Sequence, residues 1–206
     1  MSQSDCLQLI FVKHPVAGRV KTRLGATLGH DTAVAVYQEL LGYTRGITQE
    51  LDADKAVWYG NDYPETDLWA EAGYERFPQT GPDLGSRMQE AFSWGFARGY
   101  RKIQIIGSDC AALTTEILEN GFAMLDQSDF VIGPAEDGGY YLLGMNAPFY
   151  QVFKDKEWST ESVLPDTLRD LREGKKMLQF LPTLSDIDHA EDLKGTFLEH
   201  FLPKTH

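Results

Sequence analysis

At 206 residues the chain is long enough for one well-buried domain and short for two, so the expected organisation is a single domain over residues 1–206. Its hydrophobic fraction of 42% is that of a globular protein, and no apolar run approaches the roughly 18 residues of a membrane-spanning helix. A formal net charge of -12 argues against nucleic acid or anionic lipid as a partner. Residues 1–5 put no positive charge ahead of the first apolar run, which reads as a cytoplasmic protein without a signal peptide. The two cysteines, Cys6 and Cys110, form neither a disulfide framework nor a zinc-ligand spacing.

In chain order, 7–12 reads as a buried strand, and the apolar spacing of Ala33, Val36, Tyr37, Leu40, Leu41 and Thr44 predicts a helix over 31–51. Residues 55–59 form a second strand, ended by Gly60, Asn61 and Asp62, and 74–78 a weaker third. A helix over 83–100 presents Met88, Ala91, Phe92 and Phe96 on one face. Residues 102–106 are the clearest strand, and Thr114 or Thr115 caps a helix running through Leu125. Strands follow at 130–132 and 140–143, then a helix at 160–173 stopped by Gly174, a strand at 177–181 and a closing helix at 190–201. Such alternation predicts an α/β fold with a mixed, mostly parallel sheet flanked by helices, whose ligands bind at the carboxyl ends of the strands.

The unusual residues fall in those loops. Lys13, Arg19, Lys21 and Arg23 crowd the loop after the first strand, with Pro15 and Gly18 shaping it. Several cations at one strand end suit a polyphosphate, although a solvated basic turn has the same composition. The spacing is neither a Walker A loop nor a dinucleotide-binding fingerprint. Asp109 follows the strand 102–106 directly and reads either as a metal ligand or as a cap of its own turn. Asp137, Gly138 and Gly139 form a hairpin signal that also places a carboxylate at the sheet edge.

Gly81, Gly85 and Arg87 mark a Gly-rich helix start suited to a base or an anion. Trp158, Ser159 and Thr160 precede another helix. Asp186 and Asp188 share one side of an extended segment, with Asp188 reading equally as cap or metal ligand and Glu191 as the partner in a capping box. Trp58, Tyr59 and Trp69 suit a subunit contact as well as a core, and the sequence carries no determinant of oligomeric state.

These motifs occur in a familiar order. They run from Phe11-Val-Lys13-x-Pro15-x-x-Gly18-x-Val-Lys21-Thr-Arg23-Leu24, through Gly-Pro-Asp-Leu-Gly-x-Arg-Met at 81–88, to Gly-Ser-Asp-Cys at 107–110. Gly-Pro-Ala-Glu-Asp-Gly-Gly-Tyr-Tyr-Leu at 133–142, Trp-Ser-Thr at 158–160 and Asp-Ile-Asp-x-x-Glu-Asp-Leu at 186–193 complete the set. Together they resemble the radical-SAM/selenodomain-associated transferases, a glycosyltransferase-like branch of the nucleotide-diphospho-sugar transferase superfamily. The resemblance implies a GT-A-type fold and a transferase that uses an activated nucleotide with Mg2+ or Mn2+. Glycosyl transfer from a nucleotide-diphospho-sugar to a small-molecule acceptor is the leading expectation. The alternatives are nucleotidyl transfer from a nucleoside triphosphate to a phosphorylated acceptor with loss of pyrophosphate, and a non-catalytic nucleotide-binding module. Carried over by motif, the resemblance puts Lys13, Gly18, Lys21 and Arg23 on the nucleotide's phosphates and Asp109 and Asp188 on the metal, and the Gly-rich helix start adds Gly81, Gly85 and Arg87 to the nucleotide site. Asp137, Gly138, Gly139, Trp158, Ser159 and Thr160 then face sugar or acceptor, with Lys13, Arg23, Asp109 and Asp137 as the catalytic set.

Overall fold

The computed structural model describes residues 4–60, 62 and 64–203; Asn61, expected in the turn after the second strand, lies outside them, as do residues 1–3 of the N-terminal segment. Among the described residues seven strands form one sheet: β1 (Cys6–Val12), β2 (Asp54–Tyr59), β3 (Glu75–Pro78), β4 (Lys102–Ile106), β5 (Phe130–Pro134), β6 (Tyr140–Met145) and β7 (Leu178–Phe180). Their spatial order is β3-β2-β1-β4-β6-β5-β7. All neighbours pair in parallel except β6, which runs antiparallel to both β4 and β5. The expected fold class is the one observed. The helices are α1 (Thr22–Leu28), α2 (His30–Gln49), α3 (Leu68–Glu71), α4 (Leu84–Ala97), α5 (Thr115–Met124) and α6 (Val163–Glu173).

Alternation along the strands divides the core between the two faces. Ile10, Val57, Ile106 and Val131 face a cluster that includes Tyr37, Leu41, Leu118 and Phe122 from α2 and α5. Leu7, Leu9, Ile103 and Leu143 face the other side, where Met88 and Phe92 of α4 and Leu171 of α6 pack. Strands covered on both faces read as near-continuous apolar runs, which is why β1 and β4 are legible in the sequence although Gln8 and Gln104 interrupt them. A third cluster joins Leu24 of α1 and Val36 and Leu40 of α2 to Ile187, Leu193 and Leu198, and so pins the C-terminal segment across the loop after β1.

Several local expectations are corrected. The closing helix over 190–201 is two separate 3-10 turns, Ala190–Leu193 and Glu199–Phe201, because Gly195 at φ 72 reverses the chain between them. The capping partner at the first turn is Asp192 and not Glu191; its carboxylate accepts from the backbone N–H groups of Asp188 and His189 at 2.8 and 2.6 Å. The helix expected from residue 160 starts at Val163, since Ser159 sits at φ 66 and the Thr160 hydroxyl donates to the Glu157 carbonyl. Trp58, Tyr59 and Trp69 are all buried and belong to the core, not to an exposed contact surface.

Candidate functional site

The carboxyl ends of β1 to β5 and β7, and the start of antiparallel β6, bring the candidate loops to one end of the sheet. The loop after β1 turns at Gly18, whose φ of 76 excludes most side chains, and ends at Lys21, the N-terminal residue before α1. Lys21 itself is left-handed at φ 45, a conformation that costs a residue with a Cβ roughly 1–2 kcal/mol. Its side chain is what holds it there. The Lys21 ammonium, 4% exposed, donates to Asp109 Oδ1 at 2.6 Å and to the Ile187 carbonyl at 2.5 Å, and lies 3.5 Å from Asp188 Oδ1. Strain of this kind persists only where the surroundings over-determine it, and it concentrates at functional sites.

Lys21 therefore does not project towards solvent as a phosphate ligand, as its place in a basic loop suggests. It knits together the loops after β1, β4 and β7. Asp109 spends its carboxylate on Lys21, with which it pairs, and not on capping its own turn. Arg23, 69% exposed, reaches Asp188 Oδ2 at 3.2 Å, and Lys13 and Arg19 are exposed on the same loop, Arg19 facing Asp62 at 3.2 Å. Lys13, Arg19 and Arg23 are thus the exposed cations of this loop among the described residues.

Two residues outside the expected site belong to this arrangement. Tyr37 of α2, indistinguishable in sequence from a core aromatic, accepts a hydrogen bond from Lys13 N–H at 2.9 Å and shares one of 3.1 Å with the Ser108 hydroxyl. It fixes the loops after β1 and β4 against each other, and burial followed by the nearby Asp109 charge pushes its phenol far above the usual range. Asp186 is the second. Burial first, then the charge of Asp109, raise its carboxyl to about 7; Lys21 opposes them, while Asp137 and Asp188 add to the rise. Burial alone would lower the Lys21 ammonium, but Asp109, Asp188 and Asp186 outweigh it, and the net shift is upward. Cys110, buried beside this cluster, has its thiol pushed up to about 11 chiefly by burial, which makes it an inert packing residue.

Asp109, Asp186 and Asp188 thus interact around one buried lysine, and Asp137 joins them through its charge on Asp186. Among the described residues no three His, Cys, Asp or Glu side chains form a ready-made metal cage. The donor set nonetheless suits a hard divalent cation: it offers carboxylate oxygens carrying unneutralised charge, and Mg2+ is commonly held by one or two carboxylates plus substrate phosphates.

The remaining expected residues fall into two groups. Asp137 is exposed and caps its own turn by accepting from Gly139 N–H at 2.9 Å, so the hairpin reading of β5–β6 holds. Gly138, at φ 87, is packed so closely that an added Cβ would lie 2.7 Å from Glu161 Cα. Gly85 is corrected: it lies in α4 beneath the Trp158 ring and presents no open backbone to a ligand. Gly81, at φ 121, stays exposed, and Arg87 folds back so that its Nε donates to the Gly81 carbonyl at 3.1 Å. Asp83 caps the start of α4, its carboxylate accepting from Ser86 N–H at 2.7 Å. Trp158 is half-buried on Gly85 and Glu161 lies against Gly138, so Ser159 and Thr160 fall between a contact with α4 and one with the β5–β6 turn. A cavity of about 120 Å³ lies behind the first loop, lined by Lys13, Pro15, Gln38, Leu41 and Trp69 among others. None of the four clustered aspartates lines it, so the candidate site is the open surface over the strand ends.

The fold is that of the nucleotide-diphospho-sugar transferases. It matches the crystal structure of a protein from Desulfovibrio desulfuricans G20 assigned as a nucleotide-diphospho-sugar transferase, at 28% identity and a TM-score of 0.88 over 97% of this chain and 94% of that one. Within that fold the chain belongs to the bacterial family described as "uncharacterized protein conserved in bacteria" (DUF2064), which it matches over residues 44–160, more than half its length. More distant likeness, of fold alone, extends to the inositol-1-phosphate CTP transferase of T. maritima, at 13% identity and a TM-score of 0.54 over 97% of this chain and 96% of that one. A cytidylyltransferase from Leptospira borgpetersenii matches at 13% identity and a TM-score of 0.55, over 86% and 76% of the two chains. No curated protein matches the chain in sequence. No described helix is long and apolar enough to cross a membrane.

Proposed function

We propose that the chain, acting as one domain over residues 1–206, is a metal-dependent glycosyltransferase that takes its sugar from a nucleotide-diphospho-sugar. The observation that carries this reading is the convergence of the cationic loop after β1 on Asp109 and Asp188 through Lys21 and Arg23. It sets phosphate-binding charge beside metal-binding carboxylates, the two requirements of a diphosphate leaving group. The 28%-identical Desulfovibrio protein and the motif order shared with the radical-SAM/selenodomain-associated transferases support it. The two unbridged cysteines are in keeping with a cytoplasmic setting.

In this reading Lys13, Arg19 and Arg23 bind the donor phosphates, and Gly18 and Gly81 let the backbone approach them. Asp109 and Asp188 would hold Mg2+ or Mn2+, whose contribution is to neutralise charge on the diphosphate. Lys21 positions both carboxylates. The acceptor oxygen bonds to the anomeric carbon as that carbon's bond to the β-phosphate oxygen breaks, and the nucleoside diphosphate leaves with the bonding pair. The acceptor's proton passes to the exposed Asp137 carboxylate across the site.

The test is a panel of nucleotide sugars and nucleoside triphosphates incubated with the protein and Mg2+ or Mn2+. Release of free nucleoside diphosphate on acceptor addition is expected; release of pyrophosphate would establish nucleotidyl transfer instead. Arg23→Ala weakens nucleotide binding about tenfold, the loss of a charge-assisted contact. Asp109→Ala abolishes metal-dependent turnover. Absence of any nucleotide affinity in the wild type sinks the reading.

A further inference from the structure

Lys21 holds a position in the site that also suits a metal ion. Its ammonium lies 2.6 Å from Asp109 Oδ1, 2.5 Å from the Ile187 carbonyl oxygen and 3.5 Å from Asp188 Oδ1. Two carboxylates and a carbonyl thus converge on one buried positive charge. Carboxylate and carbonyl oxygens are the donors of a hard divalent cation as well. Arg23 takes the other oxygen of Asp188 at 3.2 Å. Lysine and metal therefore draw on the same oxygens.

Those oxygens do not depend on Lys21 alone for their places. Ile187 N–H donates to the Asp109 carbonyl at 2.8 Å, which ties the two carboxylate-bearing segments through their backbones. The Asp192 carboxylate accepts from the N–H groups of Asp188 and His189. Tyr37 holds Ser108, next to Asp109, and Ile187 and Leu193 pack with Leu24, Val36 and Leu40. Removing the ammonium leaves the carboxylates held near one another.

The charges at this point nearly cancel. Asp109, Asp186 and Asp188 all act on Lys21, and Arg23 pairs with Asp188, so three carboxylates face two cations. The signs are mixed further out too: Arg19 pairs with Asp62, and the charge of exposed Asp137 reaches Asp186. A divalent ion arriving alone gains little from such a site, and it gives up water for oxygens already shared with an ammonium. Mg2+ in particular dehydrates reluctantly. A nucleoside diphosphate brings negative charge and oxygens of its own, and reverses the preference.

Resting on the metal-dependent reading above, we infer that Lys21 is an internal counter-ion that keeps the divalent ion out until the donor's phosphates arrive with it. Metal and nucleotide then bind as a coupled pair, each raising the affinity of the other by the same factor. An opposite charge about 4–6 Å from a carboxylate lowers its affinity for a proton by about 10- to 1,000-fold, and the same repulsion acts on a metal ion.

The experiment titrates the whole chain with Mn2+ alone, reading free Mn2+ by electron paramagnetic resonance. It is repeated with the tightest-binding of UDP, GDP, CDP and ADP, against protein-free mixtures of Mn2+ and that nucleotide. The wild type is expected to bind Mn2+ alone roughly tenfold or more weakly than with the nucleotide. Lys21→Gly drops the ammonium and suits the left-handed turn at φ 45; it should bind Mn2+ alone about tenfold or more tightly than the wild type. Lys21→Gln, which drops the charge and keeps a donor, should gain likewise and decides the matter if the glycine variant does not fold. Lys175→Gly is the same change at another left-handed lysine, φ 52, exposed ahead of β7, and should match the wild type. Lys21→Gly/Asp109→Asn should lose the gain, which assigns the ion to Asp109. A lysine of purely structural use would give a weaker Mn2+ site when removed, not a tighter one. The inference is overturned if neither Lys21 variant gains, if Lys175→Gly gains as much, or if the gain survives Asp109→Asn. It is overturned too if the wild type binds Mn2+ as tightly without nucleotide as with it. Those outcomes leave nucleotide binding and the functional reading standing, whereas a wild type that binds no nucleotide removes that reading and this inference with it.

Discussion

Replacing Gly85 by alanine sets two effects of opposite sign against each other. Gly85 lies within the first turn of α4, and in an ordinary helix Gly→Ala stabilises by up to ~1 kcal/mol. Here an added Cβ would lie 2.5 Å from Trp158 Cζ2 and 2.6 Å from the Phe153 carbonyl oxygen. The indole can rotate away at the cost of its packing, but the carbonyl belongs to the backbone at the end of a buried 3-10 turn, Tyr150–Phe153, and cannot. Overpacking of this kind costs about 1–3 kcal/mol. The steric effect wins, and Gly85→Ala is expected to destabilise by roughly 1–2 kcal/mol net. In a chain of this size that lowers Tm by about 2–8 °C. Urea and thermal unfolding followed by tryptophan fluorescence measure it, and the native emission should shift as Trp158 is displaced. A variant as stable as the wild type, or more stable, would show that Trp158 and the Phe153 carbonyl do not close over Gly85.

Two further expectations follow from buried charge. Lys156→Met leaves Asp170, whose side chain is 9% exposed, with no counter-charge and should cost about 3–5 kcal/mol in urea unfolding. Lys156→Met/Asp170→Leu should recover most of it; failure to recover would mean that the pair contributes through shape rather than charge. Asp186, raised to about 7 in the folded protein, binds its proton more tightly folded than unfolded. Its contribution is therefore complete below the unfolded value near 4 and is lost as pH rises through about 7. In EDTA, Asp186→Asn should be more stable than the wild type at pH 8, by at most ~4 kcal/mol, and equal to it near pH 4. A pH-independent difference would refute the shift.

What the sequence discloses is whatever repeats locally. β4 and the turn at 107–109 are legible because four consecutive residues, Ile103 to Ile106, are buried, and α2 because its apolar residues recur every three to four positions. Helix α1 is missed because its seven residues include only two buried ones, Leu24 and Gly25, and follow a lysine in a left-handed conformation. The closing helix fails at Gly195, where a periodic pattern overrides a local break only on paper. The site divides in the same way. Asp109, Asp137 and Asp188 stand out by their position after strands or in a motif. The roles of Lys21 and Tyr37 do not, because burial and partners 24 to 167 residues away in sequence define them. Asp186 is visible as a neighbour of Asp188, but only the fold crowds it against Asp109.

The third apolar cluster, in which Ile187, Leu193 and Leu198 lie against α1 and α2, bears on the order in which the protein is assembled. Asp188 reaches Arg23 across 165 residues of chain, so one jaw of the site leaves the ribosome long after the other. Until that last segment docks, the lysine at the head of α1 lacks the Ile187 carbonyl and the second carboxylate that secure its turn. A nascent or partly folded chain can thus complete β1 to β4 while Lys21 still lacks two of its three partners. The left-handed turn at Lys21 thus depends on contacts that only the docked C-terminal segment supplies.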